Sequence, residues 1–318
     1  MTCIKCQHGK TKRFGYVGKQ RIQRYRCTFC GSTFVEPRVK PLDRHTTPMD
    51  TAVYILRLML EGMSVRAIQR LTGVHRDTIL ALMCTAAIRA SESFNTVVRN
   101  VPVRRVQADE VWCFTHTKEG HLRRDAPVEW GHTWVWIALD ADSKLVLSYH
   151  IGKRSPADAF KFIEDLDTRV KHRFQLTTDG FAAYVEPIET VLGMRVDYAM
   201  LVKVFATPKS AGPDWYGTGK IRDLIPSDII GSPDPVHIST SYVERSNLSL
   251  RMHLRRFTRL TNAFSKKLEN LKAAVALYIA WYNFCRVHGT LKVTPAMEAR
   301  LTDHVWSLEE LLTGASDA

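Results

Sequence analysis

Three carboxylates in this 318-residue chain stand where they could share divalent cations. Asp109 and Asp179 each end a strand-like segment. Glu244 lies near the start of an amphipathic helical pattern at residues 241–257. Two Mg²⁺ or Mn²⁺ ions held by a few carboxylates activate an attacking oxygen and stabilise a leaving oxygen in phosphodiester chemistry. The three residues are far apart in the chain, so only a fold that unites two strand ends with a helix creates this site.

The helical pattern that carries Glu244 is strongly basic. Glu244, Asn247 and Arg251 share one face at i, i+3 and i+7. We expect this helix to contact a polyanion, and its candidate contacts are Arg245, Asn247, Arg251, Arg255 and Arg256. A solvated basic helix in which Glu244 pairs with Arg251 is the simpler alternative.

Other acidic residues nearby are predicted to have different roles. Glu110 follows Asp109 directly and, by the alternation of a strand, should point to the opposite side, so it is left out of the site. Asp140 and Asp142 fall between two strand-like segments and are predicted to be turn residues.

Four of the seven cysteines form two Cys-x2-Cys pairs, Cys3 with Cys6 and Cys27 with Cys30. Four thiolates supply a closed tetrahedral shell for one structural Zn²⁺. The alternating residues 21–26 predict a strand that runs into the second pair, as in a zinc ribbon at residues 1–40. A redox role is the alternative, but it does not require two such pairs.

Residues 48–92 are predicted to form an all-α helix-turn-helix domain. Helical patterns at residues 65–71 and 75–83 flank a turn that contains Gly73, and Ser64 is placed to cap the first of them. In a helix-turn-helix the second helix enters the DNA major groove, which makes His75, Arg76 and Asp77 candidate DNA contacts. A plain three-helix bundle is the alternative.

The charge distribution supports a nucleic-acid partner. The net charge is +13, and residues 1–100 hold 17 Lys and Arg against 6 Asp and Glu. A basic N-terminal third on a near-neutral body is typical of an appended polyanion-binding module. The polar N-terminus and the absence of a long apolar run predict a cytoplasmic protein without a membrane partner, in a reducing compartment.

Residues 101–290 are predicted to form an α/β catalytic domain. The pattern indicates three strands in a meander, a helix, a strand at residues 174–179, a short helix and a further strand, which is an order that the RNase H-like fold also follows. Residues 206–240 hold five prolines and four glycines, which predicts an insertion or mobile loop. Residues 291–318 are predicted to be a helical tail.

The sequence motifs around the three carboxylates are similar to those of a known enzyme family. Residues 107–112 (QADEVW), 178–184 (TDGFAAY) and 242–251 (YVERSNLSLR) resemble the three acidic motifs of DDE transposases, whose catalytic domain is RNase H-like and belongs to the retroviral integrase superfamily. Residues 281–288 (WYNFCRVH) and 294–297 (TPAM) are similar to the C-terminal signature of bacterial insertion-sequence enzymes. With the predicted zinc ribbon and helix-turn-helix, the chain most resembles the insertion sequence one family.

The resemblance implies a function and a set of roles. It implies a prokaryotic, nucleoid-associated enzyme that binds the terminal inverted repeats of its element as double-stranded DNA. It also implies that the enzyme nicks and joins strands with two Mg²⁺ or Mn²⁺ ions held by Asp109, Asp179 and Glu244, as a homodimer or higher oligomer in the DNA complex. The interval before the Glu is longer here than in many such enzymes. A transcriptional regulator, and a nuclease of the same fold that cannot join strands, are the alternatives.

Overall fold

The computed structural model describes residues 1–17, 22–35, 42, 45–205, 221–258 and 261–313. The chain divides into two compact units, Met1–Arg44 and His45–Ala318. Among the described residues, no helix has both the length and the apolar character needed to cross a bilayer.

The first unit is a three-stranded antiparallel sheet in the order β1-β2-β3, formed by β1 (Thr11–Val17), β2 (Ile22–Cys27) and β3 (Thr33–Val35). The predicted strand at residues 21–26 corresponds to β2, and its first residue lies outside the described part of the chain. The core consists of Cys3, Cys27 and Phe34, with the ring of Tyr25 stacked on that of Phe34 at 6.2 Å. Such a small core cannot by itself stabilise a fold, because too little apolar surface is removed from water.

The second unit begins with three helices, α1 (Met49–Leu60), α2 (Val65–Thr72) and α3 (Arg76–Val97). Ser64 caps α2 as predicted, since its hydroxyl accepts a hydrogen bond from the Ala67 amide at 3.2 Å. Gly73 ends α2 with a φ of 70°, a left-handed conformation that glycine adopts without steric cost.

The prediction that the helix after the turn ends near residue 83 is wrong, because α3 continues to Val97. Its buried side chains extend to Phe94, and it packs along α7 (Leu268–Phe284). This tertiary contact stabilises the helical turns after residue 83, which the local sequence pattern alone does not predict. The sequence predicted a separate unit at residues 48–92, whereas by contacts residues 45–318 form one compact unit.

A six-stranded mixed sheet forms the centre of the second unit, which makes the fold α/β. Its strands are β4 (Arg105–Thr115), β5 (Gly131–Asp140), β6 (Val146–Gly152), β7 (Phe174–Asp179), β8 (Val196–Phe205) and β9 (Ile221–Ile230), in the order β6-β5-β4-β7-β8-β9. β7 lies parallel to both β4 and β8, and the other neighbours are antiparallel. The five predicted strands of this region are all present.

The strand β9 corrects part of the prediction for residues 206–240. Residues 221–230 were predicted to be loop, but they pair with β8 from Tyr198 to Phe205; residues 206–220 lie outside the described residues. β9 is exposed on both faces, so its sequence has no apolar alternation, and it contains Pro226. Proline is tolerated in such a strand because an edge strand has amides that no ladder requires.

The remaining α-helices of the described residues are α4 (Pro156–Asp167), the short α5 (Val185–Pro187), α6 (Ser241–His253), α7, α8 (Pro295–Glu298) and α9 (Leu308–Thr313). The side chains of Ser155, Thr294 and Ser307 cap α4, α8 and α9, since each accepts a hydrogen bond from the backbone amide three residues later. The capping box at the start of α9 is complete, because Glu310 also accepts a hydrogen bond from the Ser307 amide at 2.6 Å.

The turn between α1 and α2 contacts the carboxyl end of α6 directly. A Cβ added to Gly62 would lie 2.6 Å from the carbonyl oxygen of Met252, and the φ of Gly62 is +79°. One residue later, the His253 ring lies 2.7 Å from the Leu60 carbonyl oxygen. Glycine is therefore required at position 62 both by its backbone conformation and by the closeness of the neighbouring backbone.

The substitution Gly62→Ala should destabilise the protein more than Gly73→Ala. Both glycines have a left-handed φ, which costs alanine about 1–2 kcal/mol. An added Cβ at Gly73 meets nothing within 4 Å, whereas at Gly62 it also meets backbone. Urea unfolding of the two variants measures the difference, and equal losses would show that the contact with α6 is not tight.

Candidate functional site

The register of the central strands places Asp109 and Asp179 side by side. β4 and β7 are parallel, with Gln107 opposite Thr177, and β7 ends at Asp179. Continuing this register by two residues brings Asp109 next to Asp179. The ladder with β7 stops at Gln107, and among the described residues the next pairing on this edge of β4 is the bridge from Thr115 to Ser265, so the edge between them is open to side chains.

A buried amide joins α6 to the same strand. The Gln107 side-chain oxygen accepts hydrogen bonds from the backbone amides of Tyr242, at 2.9 Å, and Val243, at 3.1 Å. These amides belong to the first turn of α6, where no helical carbonyl is available to them. One turn further along α6, the Asn247 side chain donates to Asp109 Oδ2 at 2.7 Å. The helix that carries Glu244 is thus held beside Asp109 at two points.

The carboxylates of Asp109, Glu110 and Asp179 form one cluster, with oxygen atoms within 4.8 Å of one another. The exclusion of Glu110 from the site is therefore wrong. Glu110 follows Asp109 on a strand, but this edge of β4 is open beyond Gln107, so side chains from both faces can reach Asp179. Strand alternation identifies the face from which a side chain starts and does not fix where a long side chain ends.

Glu244 lies beside this cluster without joining it. Its carboxylate accepts hydrogen bonds from Lys203 on β8 and from Thr240, just before α6. Its negative charge is near enough to contribute to raising the pKa of Asp109. Two strands and a helix thus bring together the three predicted carboxylates, with Glu110 as a fourth.

Arg154 is a site residue that sequence reasoning missed. Its Nε donates to Glu110 Oε2 at 3.1 Å, and its Nη2 lies 3.3 Å from Asp179 Oδ2. The guanidinium lies over the Phe181 ring, 3.9 Å from the centroid. Its only signal in the sequence is its place directly before the helix start Ser155-Pro156, which does not reveal its partners.

Burial and mutual repulsion raise the pKa values of two of the carboxyl groups. Burial, with Asp179 as the next contribution, raises the pKa of Asp109 from 3.8 to about 6. Burial and Asp179 likewise raise the pKa of Glu110 from 4.5 to about 7, although the nearby Tyr184 hydroxyl and Arg154 oppose this shift. Several negative charges in a confined space raise the pKa values of their carboxyl groups when no cation is bound.

The cluster has the chemistry of a site for a hard cation. Carboxylate oxygens are the ligands that Mg²⁺ and Mn²⁺ prefer. Two buried oxygens at the site, Glu110 Oε1 and Asn247 Oδ1, have no hydrogen-bond partner among the described residues. Buried polar atoms are almost always satisfied, so unsatisfied acceptors beside clustered carboxylates fit cation ligands.

The four paired cysteines converge in the first unit, and all their sulfur atoms lie within 4.8 Å of one another. The Sγ atoms of Cys3 and Cys30 are 3.7 Å apart, and those of Cys6 and Cys27 are 3.6 Å apart. A tetrahedron with Zn–S bonds of 2.3 Å has edges of about 3.8 Å, so these distances fit Zn²⁺.

The two cysteine pairs share one local geometry. The amide of Cys3 donates to the His8 carbonyl and that of Cys27 to the Ser32 carbonyl, both at 2.9 Å. Each pair is followed by a residue of positive φ, Gln7 at 58° and Gly31 at 70°. Two matching tight turns present four thiols to one point.

The predicted DNA contacts fall into two groups. Exposed side chains include those of His75, Arg76 and Asp77 at the start of α3, and those of Arg245 and Arg255. Asn247 is a correction, because it is 6% exposed and bonded to Asp109, so it belongs to the acidic site. Arg251 is partly buried, and Arg256 lies in a pocket where burial lowers the pKa of its guanidinium to about 10.

The raised pKa values predict how stability changes with pH in the absence of divalent cations. Between about pH 4 and pH 7 the folded protein keeps protons that the unfolded chain has released. This stabilising contribution is complete below about pH 4 and is lost as the pH rises through about 6 for Asp109 and about 7 for Glu110.

The free energy of unfolding, measured in EDTA across this pH range, should therefore decline as the pH rises, and Asp109→Asn should reduce this decline. The turn variant Asp142→Asn serves as control, and an unchanged slope in Asp109→Asn would contradict the burial of Asp109.

The cysteine cluster predicts one zinc per chain. The substitution Cys27→Ser removes a ligand at the centre of the small core and should lose both the metal and the fold of residues 1–44, because zinc binding supplies about 10–16 kcal/mol in domains of this kind. Metal analysis of protein purified without added metal measures this. Cys84→Ser, which changes a cysteine outside the cluster, should retain the zinc, and retention by Cys27→Ser would disprove the ligand set.

Comparison with known proteins gives only weak similarities. No protein-family model matches the chain, and no curated protein matches its sequence. Among solved structures, the piggyBac transposase synaptic complex with hairpin DNA is 10% identical, with a TM-score of 0.34 over 84% of this chain and 70% of that chain. The Mos1 strand transfer complex is 10% identical, with a TM-score of 0.33 over 85% and 78%. The Mos1 transposase paired-end complex with the left transposon end is 12% identical, with a TM-score of 0.21 over 52% and 62%. Every one of these TM-scores is below 0.5, so the similarities establish neither the fold family nor the activity.

Proposed function

We propose that this protein is a DNA transposase of the DDE type with an RNase H-like catalytic domain. It binds the terminal inverted repeats of its element and catalyses metal-dependent strand cleavage and strand transfer. The observation that carries the proposal is the acidic cluster of Asp109, Glu110 and Asp179 on neighbouring strands, with Glu244 beside it on an adjacent helix. These carboxylates come from separate parts of the chain and lie close together although their negative charges repel one another.

Two Mg²⁺ or Mn²⁺ ions, bound by Asp109, Asp179 and Glu244 with Glu110 as an added ligand, would supply the activation of the attacking oxygen and the stabilisation of the leaving oxygen. The protein contributes position and charge. The Gln107 amide and Asn247 hold α6 against β4, so the carboxylates stay together despite their repulsion. Arg154 and Lys203 supply two positive charges among four carboxylates, which leaves net negative charge for cations to neutralise.

DNA binding is assigned to surfaces outside the acidic cluster. The exposed start of α3 follows a tight turn after α2, as in a helix-turn-helix, and presents His75 and Arg76 to solvent. Residues 1–44, with their zinc-binding cysteines, add further basic surface as a zinc ribbon. Contacts of Lys and Arg with phosphates supply affinity, and contacts with base edges supply sequence preference.

Substitution of the carboxylates tests the proposal. Asp109→Asn, Asp179→Asn and Glu244→Gln should abolish Mg²⁺-dependent cleavage of a labelled duplex that carries the element's ends, while DNA affinity changes little, because each removes a ligand charge and keeps the shape. Glu110→Gln should lower the cleavage rate by about 100-fold or more, as expected for loss of a group that holds a cation or a proton in the reaction. Asp142→Asn should cut normally.

The outcomes also separate the alternative functions. A transcriptional regulator binds the duplex without cutting it in Mg²⁺, and that result for the wild type would end the proposal. A nuclease cuts but does not join the new 3′ end to an added target duplex. Normal cutting by any one of the triad variants would remove that residue from the site.

A further inference from the structure

Arg154 presents its guanidinium to solvent at the acidic cluster. The side chain of Glu110 is 1% exposed, whereas those of Arg154 and Asp179 are 34% and 32% exposed. The guanidinium contacts these two carboxylates through Nε and Nη2, and among the described residues Nη1 has no hydrogen-bond partner. It therefore keeps donors for an acceptor that arrives from solvent.

Aromatic rings hold the guanidinium in place beside the carboxylates. It lies 3.9 Å from the centroid of the Phe181 ring and 5.1 Å from that of Trp134, and such contacts are attractive within about 6 Å. Its contacts with Glu110 and Asp179, at 3.1 and 3.3 Å, are longer than the about 2.7–2.9 Å of a strong charge-assisted hydrogen bond. A divalent cation can therefore bind to oxygens of these carboxylates while the guanidinium stays against the rings.

Hydrogen bonds on both sides of Arg154 fix its backbone. The Asp158 carboxylate accepts from the Lys153 amide at 3.2 Å and from the Ser155 hydroxyl at 2.7 Å. The Lys153 carbonyl oxygen accepts from the Trp136 indole, also at 3.2 Å. A side chain that starts from such a constrained backbone is held in position before any ligand binds, which removes part of the cost of orienting it during a reaction.

The two oxygens of Glu110 have different surroundings. Oε2 is bound to Arg154, whereas the buried Oε1 has no hydrogen-bond partner among the described residues. One carboxylate can thus serve a cation through Oε1 and hold the guanidinium through Oε2. A phosphate that binds to such a cation comes within reach of the remaining donors of Arg154.

We propose that Arg154 is a catalytic residue that donates from Nη1 to a non-bridging oxygen of the phosphate that is cut. The inference rests on the proposed function, because it takes a phosphodiester as the ligand. In the reaction the attacking oxygen bonds to phosphorus as the bond to the leaving oxygen breaks, and Arg154 neither forms a covalent bond nor gives up a proton. Its fixed donor meets the negative charge that grows on the non-bridging oxygens. Arginine suits this position, because its planar fork can bind a carboxylate and a phosphate oxygen together.

A chemical change at the phosphate tests the contact directly. A duplex that carries the element's end is made with an ordinary phosphodiester at the end of the element (the boundary phosphate) or with a methylphosphonate there. In the methylphosphonate a methyl group replaces one non-bridging oxygen, and its two stereoisomers are separated. Fluorescence anisotropy in Ca²⁺ measures the affinity while a gel shows that the duplex is uncut.

Arg154→Gln should weaken binding of the phosphodiester duplex about ten-fold, because a hydrogen bond to a charged group is lost. It should leave binding of one methylphosphonate isomer unchanged, since that isomer lacks the oxygen that Arg154 contacts. Unchanged binding of the phosphodiester duplex, or equal weakening of all three duplexes, would overturn the inference.

The rate of cleavage separates the shape of the guanidinium from its charge. At saturating Mg²⁺, Arg154→Gln should cut the phosphodiester duplex about 100-fold more slowly, as for loss of one donor to a developing negative charge. Arg154→Lys should remain nearly as slow, because an ammonium group keeps the charge but lacks the planar fork. Normal cutting by either variant would overturn the assignment.

Arg173→Gln is the matched control. Arg173 also binds a carboxylate, that of Asp197, through Nε at 2.9 Å and Nη2 at 2.6 Å. It directly precedes β7, whose other end carries Asp179, so it lies away from the acidic cluster. Arg173→Gln should bind and cut the duplex as the wild type does. A loss as large as that of Arg154→Gln would show that the effect is not particular to the cluster.

Metal binding distinguishes a phosphate contact from support of the cation site. Arg154→Gln removes a positive charge from beside the carboxylates, so without DNA it should bind Mn²⁺ at least as tightly as the wild type does. Electron paramagnetic resonance of free Mn²⁺ measures this affinity. Weaker Mn²⁺ binding would show that Arg154 acts by holding the metal ligands, and would overturn the inference.

Modification of the wild-type protein covers the case in which a variant fails to fold. Phenylglyoxal modifies exposed arginines, and mass spectrometry follows Arg154 with Arg173 as the reference. In Ca²⁺ the phosphodiester duplex should slow modification of Arg154 more than one methylphosphonate isomer does. Modification of Arg154 that the duplex does not slow, or that all three duplexes slow equally, would overturn the inference.

Failure of this inference and failure of the proposed function give different results. A protein that cuts the duplex, but whose Arg154→Gln variant binds all three duplexes equally less well, ends the inference alone. A wild type whose binding depends on Arg154 only when the boundary phosphate keeps both oxygens, but which never cuts DNA, ends the proposed catalytic function.

Discussion

The acidic site depends on one buried amide that joins a strand to the start of a helix. Gln107 lies two residues before Asp109, and its side-chain oxygen accepts both available amides from the first turn of α6. Without it, the amide of Val243 would be buried and unsatisfied, at about 1–3 kcal/mol, and the half-buried amide of Tyr242 would lose its partner. This bond works against the repulsion among the carboxylates that it brings together. The position of α6 and the concentration of negative charge at the site therefore depend on the same hydrogen bonds from Gln107.

The charges around the site are unevenly compensated. Four carboxylates meet two cations, Arg154 and Lys203, at the end of β7. Further along β4 the balance is reversed, since Arg256 has no acidic partner among the described residues. The excess of carboxylates in the first region suits divalent cations.

The sequence predicted the features that depend on neighbouring residues and missed those that depend on contacts between distant parts of the chain. The strand Phe174–Asp179 and the cap at Ser64 depend on neighbouring residues and were predicted correctly. The length of α3 depends on packing against α7, and β9 has no apolar face, so neither left a periodic signal. Glu110 and Arg154 meet across 44 residues, a contact that no spacing rule contains. Asn247 was recognised on the correct helix face, but only the packing of α6 on β4 shows that it serves Asp109.

The contact at Gly62 has a mechanical consequence. The backbone of the α1–α2 turn rests on the backbone at the end of α6, with no side chain between them. Side chains can change rotamer and absorb a displacement, whereas two backbones in contact pass it on. A displacement of the turn therefore acts directly on Met252 at the carboxyl end of α6, the helix whose first turn carries Glu244.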